Sequence, residues 1–288
     1  MDSNLARRVG FAVVAIPLAL IIVWYGGVPL VGLLAVAGAL GARELFDLAA
    51  RQGIRALRGF GLISAAALAP LAYATVVSPE FRGTIERAWP YAAAVWLMAL
   101  LTGVLAARSP GEKPMSVTGV TLLAVAYTGA LPAFLLAIRH AQYPVRSWTG
   151  AWLVFFPLVV TWVCDTAAMF GGRTFGGPRL APTVSPGKTW SGSTAGFVGG
   201  IVIAPLFAGI VFPRVGLELP VWQLAIIAGA LSIIGQIGDL AESLFKREAG
   251  VKDSSHLIPG HGGVLDRFDS LYFVIPAAAV LYRLFGVI

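Results

Sequence analysis

The sequence predicts an all-α integral membrane protein of about nine transmembrane helices, and three observations carry that expectation. Hydrophobic residues fill 58% of the 288 positions and charged residues only 12%, against roughly 25% charged in a soluble domain. Apolar windows of the ~20 residues that a helix needs to cross the hydrocarbon core recur along the whole chain. Basic residues gather in alternate loops between those windows, the pattern that orients a protein in a bilayer. The net charge of +7 is therefore read as membrane orientation and not as affinity for nucleic acid.

The first window, 9–25, follows Arg7 and Arg8 and begins like a secretory signal. It runs into Gly26-Gly27-Val28-Pro29 without a small-x-small cleavage site, so it reads as a retained span. Windows two to five cover 28–49, 60–77, 90–107 and 117–138, and windows six to nine cover 148–170, 195–212, 221–245 and 270–285. With the N-terminus in the cytoplasm, inner segments hold Arg7, Arg8, Arg51, Arg55, Arg58, Arg108, Lys113 and the basic residues of two long polar segments, 171–194 and 246–269. The opposite loops hold only Arg82, Arg87, Arg139, Arg146 and Arg214. The C-terminus then lies across the membrane, and a site built from the polar segments draws on cytosolic solutes. Residues 1–150 carry spans one to five, and residues 151–288 carry the rest as a C-terminal catalytic region. The single cysteine, Cys164, excludes an internal disulfide.

Carboxylates are scarce, 14 in all, so their placement is informative. Asp165 falls near the cytoplasmic end of span six and Asp239 inside span eight, where an unpartnered carboxylate costs several kcal/mol. Asp239, Glu242, Ser243 and Lys246 stand at i, i+3, i+4 and i+7 and share one helix face. That cost points to a bound partner more than to an internal ion-pair network, and a transporter or proton path would use the same kind of stripe.

The segment after it is more specific. Ser243, Lys246-Arg247, Lys252-Asp253, Pro259-Gly260-His261-Gly262-Gly263 and Asp266-Arg267-Phe268-Asp269 pack cations, carboxylates and glycines into 27 residues. Glycines let backbone N–H groups approach a ligand, Lys and Arg neutralise phosphate oxygens, and carboxylates hold a hard divalent cation. The other polar segment adds Gly171-Gly172-Arg173 and Ser185-Pro186-Gly187-Lys188-Thr189-Trp190. Gly-Lys-Thr looks like the end of a P-loop, but Pro182 stands where the first glycine belongs and no strand is expected before it. Phosphate contact by Lys188 survives that rejection. Trp190 either stacks on a base or anchors at the membrane interface.

These residues resemble the bacterial phosphatidate cytidylyltransferase, or CDP-diacylglycerol synthase, family. Its motif, Ser-x2-Lys-Arg-x4-Lys-Asp-x-Ser-x2-Ile-Pro-x-His-Gly-Gly-x2-Asp-Arg-x-Asp, fits Ser243 to Asp269 at every fixed position. The likeness extends upstream through Asp239-Leu-Ala-Glu242, Ser-Pro-Gly-Lys-Thr-Trp, Gly172-Arg173 and Asp165, and before those only Glu44 in Arg43-Glu44-Leu-Phe looks similar. Met169 stands where the family often has Tyr, and Ser191 where it has Glu or Gln.

The resemblance implies an enzyme of the cell membrane, its active site facing the cytoplasm, that joins CTP to phosphatidic acid and releases pyrophosphate. It implies Mg²⁺ held by Asp239 and Asp266, with a second, monovalent cation as an open alternative, and a homodimer. Lys246, Arg247, Lys252 and Arg267 would compensate phosphate charge, and Asp165 and Asp253 would ligate the ion or orient waters. His261 either polarises a phosphate oxygen or caps its turn. Arg173, Ser185, Lys188, Thr189, Ser243, Gly262, Gly263 and Asp269 complete the expected substrate contacts. A CTP-dependent lipid kinase and a cation-coupled transporter are the rival readings of the same groups.

Overall fold

In the computed structural model of the chain, residues 3–258, 260 and 262–288 are described, with side chains from residue 13 onward. Those of Arg7 and Arg8 lie outside that range. The architecture is mostly helical: α1 (Ser3–Tyr25), α2 (Gly27–Ala50), α3 (Arg58–Val77), α4 (Pro79–Ala107), α5 (Pro114–Ala124), α6 (Leu131–His140), α7 (Trp148–Phe175), α8 (Trp190–Leu206), α9 (Val221–Glu248), α10 (Leu265–Phe268) and α11 (Leu271–Leu284). A wide π turn, Val125–Ala130, joins α5 to α6 in one run, Pro114–His140. Seven described helices are long and apolar enough to cross a membrane. The expected first and ninth spans correspond to α1, whose side chains are described from Val13 onward, and to α11, whose 14 residues rise about 21 Å at 1.5 Å per residue.

The chain forms two compact units, Met1–Ile22 with Gly26–Ala137 and Ala249–Arg267, and Val23–Tyr25 with Ile138–Glu248 and Phe268–Ile288. In the first, α2 buries Leu30, Leu34, Gly38, Ala42 and Leu45 at helical spacing. Gly38 lets the carbonyls of Ala65 and Thr128 come close, and Thr128 Oγ1 donates to Gly38 O at 2.9 Å. Small residues thus bring helix backbones together where lipid supplies no hydrophobic drive between helices. By contrast α4 buries only Leu100 and Val104 and leaves Trp89, Tyr91 and Leu105 exposed, as a lipid-facing helix should.

The second unit uses the same device more regularly. Gly192, Gly196 and Gly200 recur every fourth residue of α8; a side chain there would meet Ala168 O, Cys164 O or the Ser232 hydroxyl. At the far end Phe156, Phe207 and Phe212 form an aromatic cluster, Phe156 to Phe207 at 4.9 Å. Arg139, expected in an outer loop, is instead fully buried in the last turn of α6. Its guanidinium donates to Val23 O at 2.7 Å, Trp24 O at 2.5 Å and Pro144 O at 3.1 Å. The end of α1 leaves carbonyls without intrahelical partners, and this buried cation satisfies them.

Segment 171–194 departs from the expected loop. Gly171, Gly172 and Arg173 belong to α7, because a glycine at 171 clears Ala195 and one at 172 clears the Thr189 hydroxyl on the neighbouring chain. The helix stops at Gly176, φ +61°, followed by Gly177, φ +99°, values that cost an L side chain energy. Then Arg179–Ala181 (β1) and Ser185–Thr189 (β2) pair antiparallel, Arg179 opposite Thr189 and Ala181 opposite Ser185. A strand therefore does carry Gly187-Lys188-Thr189, but it is half of a hairpin, and the glycine that a P-loop needs is still Pro182.

Candidate active site

Three helices and the hairpin of the second unit enclose a cavity of ≈ 550 Å³ lined by Asp165, Met169, Gly172 and Arg173 of α7, Arg179, Lys188 and Thr189 of the hairpin, Ser193 of α8, and Gln236 and Asp239 of α9. Lys188 Nζ lies 2.5 Å from Asp239 Oδ2, each side chain 27% exposed. Ser243 Oγ, one turn on, donates to Asp239 Oδ1 at 3.3 Å. Asp165 is exposed and stands within electrostatic range of Asp239, Asp269 and Lys188. Thr189 Oγ1 accepts from Gly192 N at 3.1 Å and caps α8, which fixes where the hairpin ends and the helix begins.

The carboxylate stripe on α9 is present as its spacing predicts. Asp239 meets Ser243, and Glu242, wholly buried, holds Lys246 Nζ at 2.7 Å. Arg247 Nε donates to Val184 O at 3.0 Å and ties the end of α9 to the hairpin turn. Beside the cavity runs a largely apolar groove of ≈ 380 Å³, lined by Trp190, Phe197, Ile233, Ile237 and Leu240 and sharing Leu180, Ser193 and Gln236 with it. Trp190 lines this groove. Ser191 Oγ donates to Gly176 O and so holds the end of α7.

The rest of the motif lies in the first unit. Asp266 is buried, and its Oδ2 accepts from Ser254 N at 2.9 Å, Gly263 N at 2.8 Å and Ser254 Oγ at 2.8 Å. Gly262 sits at φ +81° with the Asp266 carboxylate where a side chain would be. Lys252, Asp253 and Arg267 are exposed, whereas His261 lies outside the described residues. Ser185 opens β2 and does not line the cavity, and Asp269 Oδ1 accepts from its neighbour's amide, Ser270 N, at 2.6 Å.

Of the residues picked out from sequence, Asp165, Arg173, Lys188, Thr189 and Asp239 thus meet in one cavity. Asp239 and Asp266 belong to different units, each with its own partners. Arg179, Ser193 and Gln236 were missed; Gln236 is three residues before Asp239, so the helical period that found the stripe extends it by one turn. Glu44 was noted only as a likeness. It is buried in α2, and its signal was a carboxylate inside an apolar window.

A membrane-embedded helical protein with two carboxylates and three cationic side chains around one cavity has the means to hold an anionic ligand together with a cation. The chain belongs to the cytidylyltransferase family, whose model matches residues 6–285. It is similar to curated proteins named phosphatidate cytidylyltransferase. Identity is 38% over 189 residues with the Haemophilus influenzae protein, 65% of each chain. It is 49% over 139 residues with the Brucella suis protein, 48% of each, and 42% over 169 residues with the Bacillus subtilis protein, 58% of this chain and 59% of that one. The matched stretches therefore span from about half to just under two thirds of these relatives' lengths.

Proposed function

We propose that the protein is a phosphatidate cytidylyltransferase, converting CTP and phosphatidic acid to CDP-diacylglycerol and pyrophosphate. The observation that carries this reading, beside the family, is a charged cavity and an apolar groove that share wall residues. One substrate is wholly polar and anionic, and the other joins an anionic headgroup to acyl chains. In this reading the phosphates enter the cavity, where Arg173, Arg179 and Lys188 offset their charge, and the lipid's apolar part lies along Trp190, Phe197 and Ile237.

Phosphatidic acid brings an anionic phosphate oxygen, so attack on the α-phosphorus of CTP needs no strong base. The new bond joins that oxygen to the α-phosphorus, the bond from the α-phosphorus to the bridging oxygen breaks, and pyrophosphate leaves with the electron pair. The protein's contribution is alignment and charge compensation. Lys188 is placed to follow the negative charge as it passes to the leaving group. Lys246 and Arg247 reinforce the positive end of the α9 stripe, while Lys252 and Arg267 add exposed charge in the other unit.

Mg²⁺ is the cation assigned to Asp239 and Asp266, and each residue fits it within its own unit. Asp239 already carries a cation at 2.5 Å, and Asp266 is a carboxylate oriented by N–H groups. Among the described residues no three Asp, Glu, His or Cys side chains form a self-sufficient metal site. That suits Mg²⁺, which is held by one or two carboxylates plus substrate phosphates and waters. When bound it supplies neutralisation of the nucleotide phosphates.

In this reading α1 and α11 complete nine spans in the cell membrane. The N-terminus and the cavity face the cytoplasm and the C-terminus lies opposite; a homodimer follows from the resemblance. Mass spectrometry of the lipid formed by purified protein with CTP, phosphatidic acid and Mg²⁺ tests the assignment. CDP-diacylglycerol is expected; unchanged phosphatidic acid, with phosphorylation of a polyprenol supplied in a parallel incubation, would assign the protein to lipid kinases.

A further inference from the structure

Glu44 stands 3% exposed in α2, on a helix long and apolar enough to cross a membrane. Both of its oxygens are engaged, and every donor comes from one segment more than 200 residues away. Oε1 accepts from Ser255 Oγ at 2.7 Å and Val264 N at 2.9 Å. Oε2 accepts from Leu265 N at 2.9 Å and lies 2.9 Å from Ser254 Oγ, whose one proton it shares with Asp266. The carboxylate therefore pins the segment at two places about ten residues apart in sequence, and the part between them carries the Gly262-Gly263 turn. Gly263 is the only residue type that fits, since a Cβ there would strike both the Ser254 hydroxyl and the Glu44 carboxylate.

The same Ser254 hydroxyl lies 2.8 Å from Asp266 Oδ2. One hydroxyl stands between the two carboxylates, and the Ser254 and Gly263 amides close the ring onto Asp266. Hydrogen bonds to a carboxylate are shorter and stronger than those between neutral groups. A buried carboxylate whose two oxygens meet donors from both ends of the segment is specific in geometry, because shifting the segment by even one residue would leave them unpaired. This is more than a helix needs for anchoring: the apolar neighbours of α2 already bury its face.

We infer that Glu44 is a positioning residue for the transferase reaction: it fixes the 254–265 segment so that Asp266, Arg267 and Lys252 are presented in one arrangement. The inference rests on the proposed function and assigns to the first unit a part in the chemistry that none of its apolar helices reveals. Glu44 itself touches no reacting atom; it acts through Ser254 and the backbone of 263–265.

The test is Glu44→Gln, equal in size but with an NH₂ group that must face N–H or O–H donors. Two readouts are taken on the full-length protein in lipid nanodiscs. Hydrogen exchange of peptides covering 249–267, without substrate, should speed up by about tenfold or more while α7 to α9 peptides stay unchanged. In the turnover assay kcat should fall by about tenfold or more, with KM for CTP moving less than about threefold. Should Glu44→Gln fail to fold, the Ser254→Ala/Ser255→Ala double variant removes both hydroxyl donors and leaves the carboxylate. Faster exchange with a kcat drop of about threefold or more is expected there. Unchanged exchange, or faster exchange with wild-type kcat, overturns the inference in either variant. A wild-type protein that makes no CDP-diacylglycerol contradicts the functional reading instead, and the exchange arm, needing no substrate, keeps the two failures apart.

Discussion

Asp239 stands on a helix long and apolar enough to cross a membrane with a lysine ammonium against it, whereas Asp266 stands in the short α10, where backbone amides and a serine hydroxyl of the preceding segment converge on it. The first carboxylate is compensated by a partly exposed lysine side chain in a cavity and the second by backbone dipoles and a hydroxyl in a buried setting. In the proposed function Lys188 moves to a phosphate and leaves Asp239 to another cation, whereas the donors of Asp266 include backbone amides, which are set by the fold of the segment. The two aspartates thus differ in what holds them: Asp239 pairs with a side-chain cation, Asp266 with backbone amides and a hydroxyl.

The largest effect should come from breaking each carboxylate. Asp239→Asn and Asp266→Asn are both expected to lower turnover by about 100-fold or more, the scale of losing a group that organises transition-state charge. The variants should part company in proteolysis, where only Asp266→Asn opens the 249–267 segment. Equal protease resistance would erase the distinction. Next in size is Lys188→Ala, expected to lower kcat/KM for CTP by about 10- to 100-fold, with Lys188→Arg recovering part of it. A variant with unchanged CTP kinetics would show that the ammonium serves only to neutralise Asp239.

Smaller effects sharpen the structural half of the comparison. Gly263→Ala would push a methyl group into the Ser254 hydroxyl and the Glu44 carboxylate, and a destabilisation of about 1–3 kcal/mol is expected, read as a lowered unfolding midpoint. Gly200→Ala on α8 would meet the buried Ser232 side chain and Val160, uncharged groups, so its loss should be less. Thr189→Ala should cost about 1 kcal/mol through the lost cap on α8. It is the mildest change and leaves Lys188 in place.

Legibility in the sequence followed the range of the interaction. The α9 stripe was readable because i, i+3 and i+4 contacts are set by helix geometry alone, and Asp239 with Ser243 and Glu242 with Lys246 obey it. The hairpin was missed because Ser-Pro-Gly-Lys-Thr is poor strand material; it pairs through the turn at 182–184, after Gly176 has ended α7. Gly171 and Gly172 looked like breakers, yet they remain helical since their lack of a side chain admits α8. Glu44 was out of reach: its donors are 210 to 221 residues distant, and no local pattern reports them. Arg139 was misplaced for the same reason, its carbonyl partners lying 115 residues or so upstream.

Following the phosphorus decides the central claim most directly. Purified protein is given phosphatidic acid and CTP labelled at either the α- or the γ-phosphorus. The account predicts that the α label enters the lipid and the γ label appears in pyrophosphate, with both transfers lost in Asp239→Asn. A γ label in the lipid, or α transfer undiminished in that variant, would contradict it.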